Sequence, residues 1–267
     1  MMWRSLVAIL VGLATVLLGV VVNDESQNLE VTRHVIGRAA GENARGLRIA
    51  QVSDLHMQGD AAVEQQTLQV LREEDPDLLV LTGDILARRD RMVALKKFLE
   101  QLPARARKIA LLGNWEYWAG IDLVKLRRLY TTSGVTLLVN EAVRIDEGVL
   151  VVGLDDERHG QPDMKQALAA HPGWQGPMLV LAHNPITLTQ LSQQELVADH
   201  LMLAGHTHGG QIVLLGRWLQ REQPCRAGWC PDREASIYIS RGVGTTVIPL
   251  RFGARPELAL FEWWVNH

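Results

Sequence analysis

The sequence predicts an α/β protein, one domain of two packed sheets with helices outside. Two observations carry that expectation. From Gly46 onward, short apolar runs of strand type alternate with stretches of helical period. Those runs also end, one after another, in a carboxylate, a carboxamide or an imidazole, and strand ends are where open α/β sheets bind ligands. The chain has 267 residues, 47% of them hydrophobic, which suffices for one sizeable core. A formal net charge of -3 argues against a nucleic-acid partner held by bulk charge.

The first segment stands apart. Leu6 to Val22 is apolar or small throughout, with Arg4 before it and Asp24, Glu25 and Glu30 after it. A bilayer span takes about 20 such residues, so the run is slightly short but suited to a single-pass anchor. No A-x-A-like site follows it, which disfavours a cleaved signal peptide. The single preceding arginine favours an N-terminus inside the cell and the bulk of the chain outside the cytoplasm, as for a protein of the inner membrane, with the cytoplasmic face as the alternative. The expected division is an anchor over 1–23, a stalk and lead-in segment over 24–45, and the folded domain over 46–267. Cys225 and Cys230 either close a small disulfide loop in an oxidising compartment or remain reduced thiols in a surface loop.

In chain order, a strand is expected near Leu29–Ile36 and another at Leu47–Val52. A helix follows at Ala61–Glu74, where Val63, Leu68 and Leu71 share a face. Pro76 introduces a strand at Asp77–Leu81. A helix at Arg91–Leu102 stops at Pro103. Lys108–Leu112 is a strand and Ile121–Tyr130 a helix packing through Leu123, Leu126, Leu129 and Tyr130. Shorter strands follow at Val135–Val139, Ala142–Ile145 and Val149–Gly153. Helices are expected at Asp163–Ala170 and Ile186–Leu196, and strands at Met178–Ala182, Asp199–Leu203, Gln211–Leu215, Ile237–Ser240 and Glu257–Val265.

Five of the strands end in chemistry-bearing residues. They deliver Asp54 and His56, then Asp84, Asn114, His183, and finally His206 and His208 within Gly205-His206-Thr207-His208-Gly209. Each has a plain structural use. Asp54 or Asp84 alone caps a helix, Asn114 alone makes a turn, and a lone His183 is a bond donor. Together at one edge, seven such groups would cost several kcal/mol in repulsion and desolvation without a cation between them. A metal centre resolves that cost.

The order Asp-x-His, Gly-Asp, Gly-Asn, His, Gly-His-x-His resembles the calcineurin-like metallophosphoesterases. The membrane-associated bacterial branch is the nearest match, through Gly205–Gln211, Ser240-Arg241-Gly242-Val243-Gly244, Pro249, Arg251-Phe252-Gly253 and Arg255-Pro256-Glu257. The resemblance implies a four-layer α-β-β-α sandwich of two mixed sheets and a site for two divalent metal ions. Asp54, His56 and His208 would hold the first, Asn114, His183 and His206 the second, and Asp84 would bridge them. Such a pair, about 3.5–4 Å apart, acidifies a water and clamps a phosphoryl group. Mixed nitrogen and oxygen ligands suit manganese, iron or zinc.

One departure stands out. The family pattern continues Gly-Asn-His, and that histidine assists the leaving group; here Trp115 follows Asn114. Indole delivers no proton, and general acid help is worth about 100- to 10,000-fold. His159 is a candidate substitute, against its plainer use as an exposed loop histidine. Trp115 either packs beside the site or stacks on substrate. The expected activity is hydrolysis of a phosphomonoester, phosphodiester or pyrophosphate. The anchor and the Trp218–Trp229 segment suggest an amphipathic or lipid-linked substrate. A narrower alternative is pyrophosphate hydrolysis of the UDP-diacylglucosamine type, whose cytoplasmic substrate conflicts with the orientation above. The non-enzymatic alternative is a degenerate metal-binding or scaffold protein, to which Trp115 alone points.

Overall fold

The structure is a computed structural model that describes residues 12, 19, 24–38, 46–59, 61–146, 148–191, 199–213, 220, 223, 225–230 and 237–265. Its strands are β1 Glu30–Ile36, β2 Leu47–Val52, β3 Leu78–Thr82, β4 Arg107–Leu111, β5 Val135–Leu137, β6 Glu141–Arg144, β7 Leu150–Gly153, β8 Met178–Leu181, β9 His200–Ala204, β10 Gly228–Trp229, β11 Ile237–Ile239 and β12 Glu257–Trp263. The helices are α1 Ala62–Glu74, α2 Met92–Leu99, α3 Asn114–Trp118, α4 Leu123–Thr132, α5 Met164–Ala167 and α6 Pro185–Gln190. The strands form two mixed sheets, ordered β1-β12-β2-β3-β4-β5 and β10-β11-β9-β8-β7-β6.

The central strands read as continuous apolar runs because both faces of each sheet are covered. Leu47, Ile49, Leu78, Val80, Ile109 and Leu111 of the first sheet meet Leu179, Leu181, Leu201 and Leu203 of the second. The alternate residues point outward. Ala50, Val52, Leu79, Leu81 and Ala110 pack on Leu68 and Leu71 of α1, Phe98 of α2 and Leu126 and Tyr130 of α4. Val180, Met202 and Ile239 pack on Met164 of α5 and Leu188 of α6. The layers therefore run helices, sheet, sheet, helices. Truncating a fully buried leucine of this inner layer, such as Leu179, would cost about 2–5 kcal/mol.

Several expectations need correction. The stretch Gln211–Leu215 is not a strand where it is described. Gln211 has φ 50° and Ile212 makes only an isolated bridge to Phe252. The Gln211 side chain instead holds a loop, donating to the carbonyls of Ile248 and Leu250 and accepting from the Thr246 amide (3.0 Å). The helix expected over Ile186–Leu196 is α6, which begins at Pro185 behind an Asn184 cap and ends at Gln190, since Leu191 is extended; positions 192–196 of that expectation lie outside the described residues. The helix at Asp163–Ala170 shrinks to α5, capped by Asp163. Helix α3, which begins at Asn114 itself, has no counterpart in the expected elements. The anchor run Leu6–Val22 lies outside the described residues except for Gly12 and Gly19; among the described residues no helix is long and apolar enough to cross a membrane. Trp218 also lies outside them. Trp229 packs against His34, Tyr238 and Phe261, where it bridges the two sheets. Cys225 and Cys230 are paired in a disulfide.

Candidate metal centre

Strands β2, β3 and β4 run parallel in one sheet, as do β7, β8 and β9 in the other. Their carboxyl ends therefore share an edge, and the loops that leave them are short and bent. Asp54, His56, Asp84, His206 and His208 all have positive φ, between 45° and 71°. Non-glycine residues rarely adopt that region, and each such residue costs on the order of 1–3 kcal/mol. Neighbouring backbone holds them there. Asp54 N donates to Gly83 O, His56 N to Asp84 O, and Gly205 N to His183 O. The sheets approach so closely that a Cβ on Gly205 would stand 1.9 Å from Ser53 Oγ, which only glycine permits.

All seven sequence-predicted ligands gather at this edge. One atom each from Asp54, His56 and His208 lie within 4.8 Å of one another, and so do atoms from Asp84, His183 and His206. His208 Nε2 is 3.3 Å from Asp54 Oδ1 and 3.1 Å from His56 Nε2. In the second group His183 Nε2 is 3.2 Å from Asp84 Oδ2, and Asn114 Oδ1 accepts from His206 Nδ1 at 2.9 Å. Asp84 Oδ2 is also 3.8 Å from His56 Nε2, so this one carboxylate faces both groups. Supporting bonds orient the rings. His183 Nδ1 donates to Thr82 O (2.9 Å), leaving Nε2 to face the site. Arg251 Nη2 lies 3.3 Å from His208 Nδ1, which orients that ring with Nε2 toward Asp54. Ser53 Oγ donates to Asp54 Oδ2 at 2.5 Å.

Burial and charge oppose each other here. Burial pushes the Asp54 carboxyl up, but the imidazoles of His208, His183 and His56 more than offset it and hold the group below its ordinary value. Asp84 is likewise held down against burial by His183 and His56. Burial lowers His56 to about 4 and His206 to about 3, with His208 and His183 respectively adding repulsion. His183 goes the other way; burial works to lower it, yet Asp84 and Asp54 raise it to about 10. Two buried carboxylates held below their ordinary range, mixed oxygen and nitrogen donors and an Asp84 common to both groups fit divalent cations.

A cleft of about 430 Å³ opens over the cluster, lined in part by Asp84, Asn114, His206 and His208. Trp115 forms one wall, with its amide donating to Asp84 Oδ1 (2.8 Å) and its ring edge against His56. Arg158 lines the cleft. His159 is not among the described lining residues; its Nδ1 is 3.9 Å from Asp156 Oδ2, and its ring is about two-fifths exposed. Asp156 accepts the amides of both Arg158 (2.9 Å) and His159 (2.8 Å) and so shapes the turn that presents the arginine.

Three contributors were given no role at the site by the sequence, although Arg251 stood in the family resemblance and the disulfide loop was one of two readings of the cysteines. Glu116 is fully buried and accepts the amides of Gly113, Asp84 and Leu86, at 2.9–3.1 Å, which fixes the Asp84 turn. Burial and the neighbouring Asp84 push its carboxyl up to about 8. Its position two residues after Asn114 was the available signal. Arg251, also fully buried, donates to the carbonyls of Gly244, Ala254, Arg241, Gly242 and His208. The third is the disulfide loop. Thr207, between the two histidines, donates its hydroxyl to the Arg226 carbonyl inside it.

Comparison with known proteins matches residues 47–210 to the calcineurin-like phosphoesterase family. The uncharacterized metallophosphoesterase YkuE of Bacillus subtilis is 30% identical over 251 residues, 89% of this chain and 86% of its own. Phosphodiesterase YaeI of Escherichia coli is 31% identical over 236 residues, 83% of each chain. An uncharacterized metallophosphoesterase of Aquifex aeolicus is 28% identical over 263 residues, covering 92% of this chain and 95% of its own.

Proposed function

The chain belongs to the calcineurin-like phosphoesterase family and is a metal-dependent phosphoester hydrolase; from that premise we propose that it is a two-metal enzyme whose substrate carries a leaving group that needs no proton, a pyrophosphate before an alkyl ester. Asp54, His56 and His208 would hold one cation and Asn114, His183 and His206 the other, with Asp84 common to both. The observation that carries this assignment is the placement of Asp84 Oδ2, 3.2 Å from His183 Nε2 and 3.8 Å from His56 Nε2. A pair of divalent cations there supplies a water acidic enough to attack at neutral pH and neutralises the phosphoryl oxygens.

The protein's own groups do the rest. Thr82 O and Arg251 set the His183 and His208 rings. Among the described residues lining the cleft, Arg158 is the only titratable side chain outside the seven candidate ligands. A guanidinium binds phosphoryl oxygens in a planar fork and gives up no proton, so it steadies charge without acting as a general acid. The indole of Trp115 gives none either. With no proton donor among the described residues that line it outside the seven candidate ligands, the cleft favours a phosphate leaving group.

The disulfide supports a domain in an oxidising compartment, with the run Leu6–Val22 as a single-pass anchor. A C-terminal reporter fusion would test that side. For the activity, the purified full-length chain, stripped of metal and reloaded with manganese, iron or zinc, should hydrolyse aryl phosphodiesters or pyrophosphate esters. Absence of turnover with every metal at full occupancy would overturn the assignment. Trp115 is the one observation favouring a degenerate metal-binding protein, which the same assay excludes or establishes.

A further inference from the structure

The chain that follows the apolar run is fastened beside the cleft. Residues 24–27 form one helical turn, and Val22 is two positions before Asp24. Three successive residues reach the segment 251–255. Asp24 pairs with Arg255 Nη2 (3.0 Å), Glu25 accepts the Gly253 amide (2.6 Å), and Ser26 Oγ accepts the Arg251 amide (2.7 Å). Arg251 in turn grips Gly244 O, and Gln211 grips the far end of the same loop at Thr246 and Ile248. That loop lines the metal cleft. Two residue steps span at most about 7 Å, so the apolar run joins the chain within that reach of Asp24.

The rim has the surface expected beside a bilayer. Trp118, Val247 and Ile248 are 64%, 78% and 40% exposed, and Trp118 stacks edge-on to Trp115. Clustered exposed apolar side chains mark an interaction surface, and tryptophan favours the headgroup layer. Cations flank them. Arg88 lines the adjoining groove, and Arg89 Nε donates to Ala119 O, next to Trp118. That groove, about 440 Å³, meets the cleft at Trp115, Thr246 and Val247; Leu55, Val63 and Pro249 give it apolar walls, and Ser26 and Gln27 close one side.

We propose that the mouth of the metal cleft rests on a lipid bilayer, with Trp118, Val247 and Ile248 in the headgroup layer, and that the substrate is a lipid-linked pyrophosphate whose apolar end lies in the groove beside Trp115. The proposal rests on the hydrolase assigned above and on Leu6–Val22 entering the bilayer. A second copy of the chain or a protein on this face are its competitors.

The test uses the full-length chain in vesicles of phosphatidylcholine and phosphatidylglycerol. A fluorophore is attached in turn at Val247→Cys, Ile248→Cys and Trp118→Cys, and nitroxide-labelled lipid is the quencher. Val35→Cys is the control. Val35 is 68% exposed but pairs with Glu262, which pairs with Arg48 at the end of the sheet remote from the cleft. The three rim positions should be quenched and Val35 spared. Equal quenching at Val35, or none at the rim while the protein stays with the vesicles, would overturn the docking. In parallel, the unlabelled protein should hydrolyse diacylglycerol pyrophosphate in these vesicles about tenfold or more faster than inorganic pyrophosphate, because only the lipid fills the groove. The reverse order would overturn the lipid substrate. Hydrolysis of an aryl phosphodiester, measured alongside, keeps a failure of the docking distinct from a failure of the hydrolase assignment.

Discussion

Asp84 Oδ2 stands 3.2 Å from His183 Nε2, and both side chains are shut off from water. The pair joins the end of β3 to the end of β8, one strand from each sheet. Each group sets the charge of the other, and the chemistry of the cluster depends on their being held this close.

Asp84→Asn should abolish the shared negative charge while leaving size nearly unchanged. Activity should fall by more than about 100-fold, since even groups behind a ligand are worth 10- to 100-fold. Elemental analysis should show loss of at least one bound metal. Full metal content with full activity would contradict the bridging role.

Metal uptake should release protons. In the metal-free protein His183 is raised to about 10 and is protonated at pH 7, so a cation must displace that proton to use Nε2. Calorimetry in buffers of different ionisation enthalpy should show about one proton released at pH 7 from this group, falling as pH rises through 10. The same shift has a stability sign. A raised histidine pKa stabilises the metal-free fold fully below the unfolded value near 6.5, and that contribution disappears as pH climbs through about 10.

With no proton donor among the described lining residues outside the candidate ligands, rates should depend steeply on the leaving group. Across a series of aryl phosphoesters, log kcat should fall sharply as leaving-group pKa rises. Trp115→His should flatten that slope, raising rates on poor leaving groups by about 100- to 10,000-fold with unchanged metal content. A uniform loss across the series would show that the indole itself binds substrate.

Arg158→Ala should lower kcat/KM by roughly 10- to 100-fold without altering metal content, and Arg158→Lys should recover part of it, as a point charge replaces a planar fork. The parallel variant His159→Ala should change little, because the described cleft lining includes Arg158 and not His159. Steady-state kinetics on one diester separates the two.

Glu257 should limit acid stability. Burial pushes its carboxyl up, but Arg241, Tyr238 and Thr32 hold it below its ordinary value. The bonds are short, 2.6 Å from Tyr238 and 2.8 Å from Thr32. A depressed carboxylate stabilises the fold above its unfolded pKa, near 4.5, and that contribution is lost as pH falls through the lower folded value. Glu257→Gln should therefore lower the melting temperature at pH 7 and narrow its gap to the natural protein in acid.

Much of the fold was legible because its signals are local. Leu78–Leu81 and Leu201–Leu203 are unbroken apolar runs, and strands covered on both faces require that. Capping by Asp163 and Asn184 is visible as residue type at a position. Where tertiary bonds override local pattern, the expectation failed. Gln211–Leu215 reads as a strand through the apolar run Ile212–Leu215, but Gln211 spends its amide on a distant loop and its backbone turns.

From the sequence alone came the seven candidate ligands, their order along the chain and their position at strand ends. These follow from short-range rules of pattern and composition. The tertiary structure alone decided that Asp84 faces both groups, that Arg158 and not His159 lines the cleft, that Glu116 sets the Asp84 turn, and that residues 24–27 bind the rim. Each joins parts of the chain separated by 28 to 231 positions, or turns on which way one side chain points, except for Glu116 Oε2 on the Gly113 amide. Such contacts are fixed by how two twisted sheets pack, and no local pattern in the sequence encodes that distance.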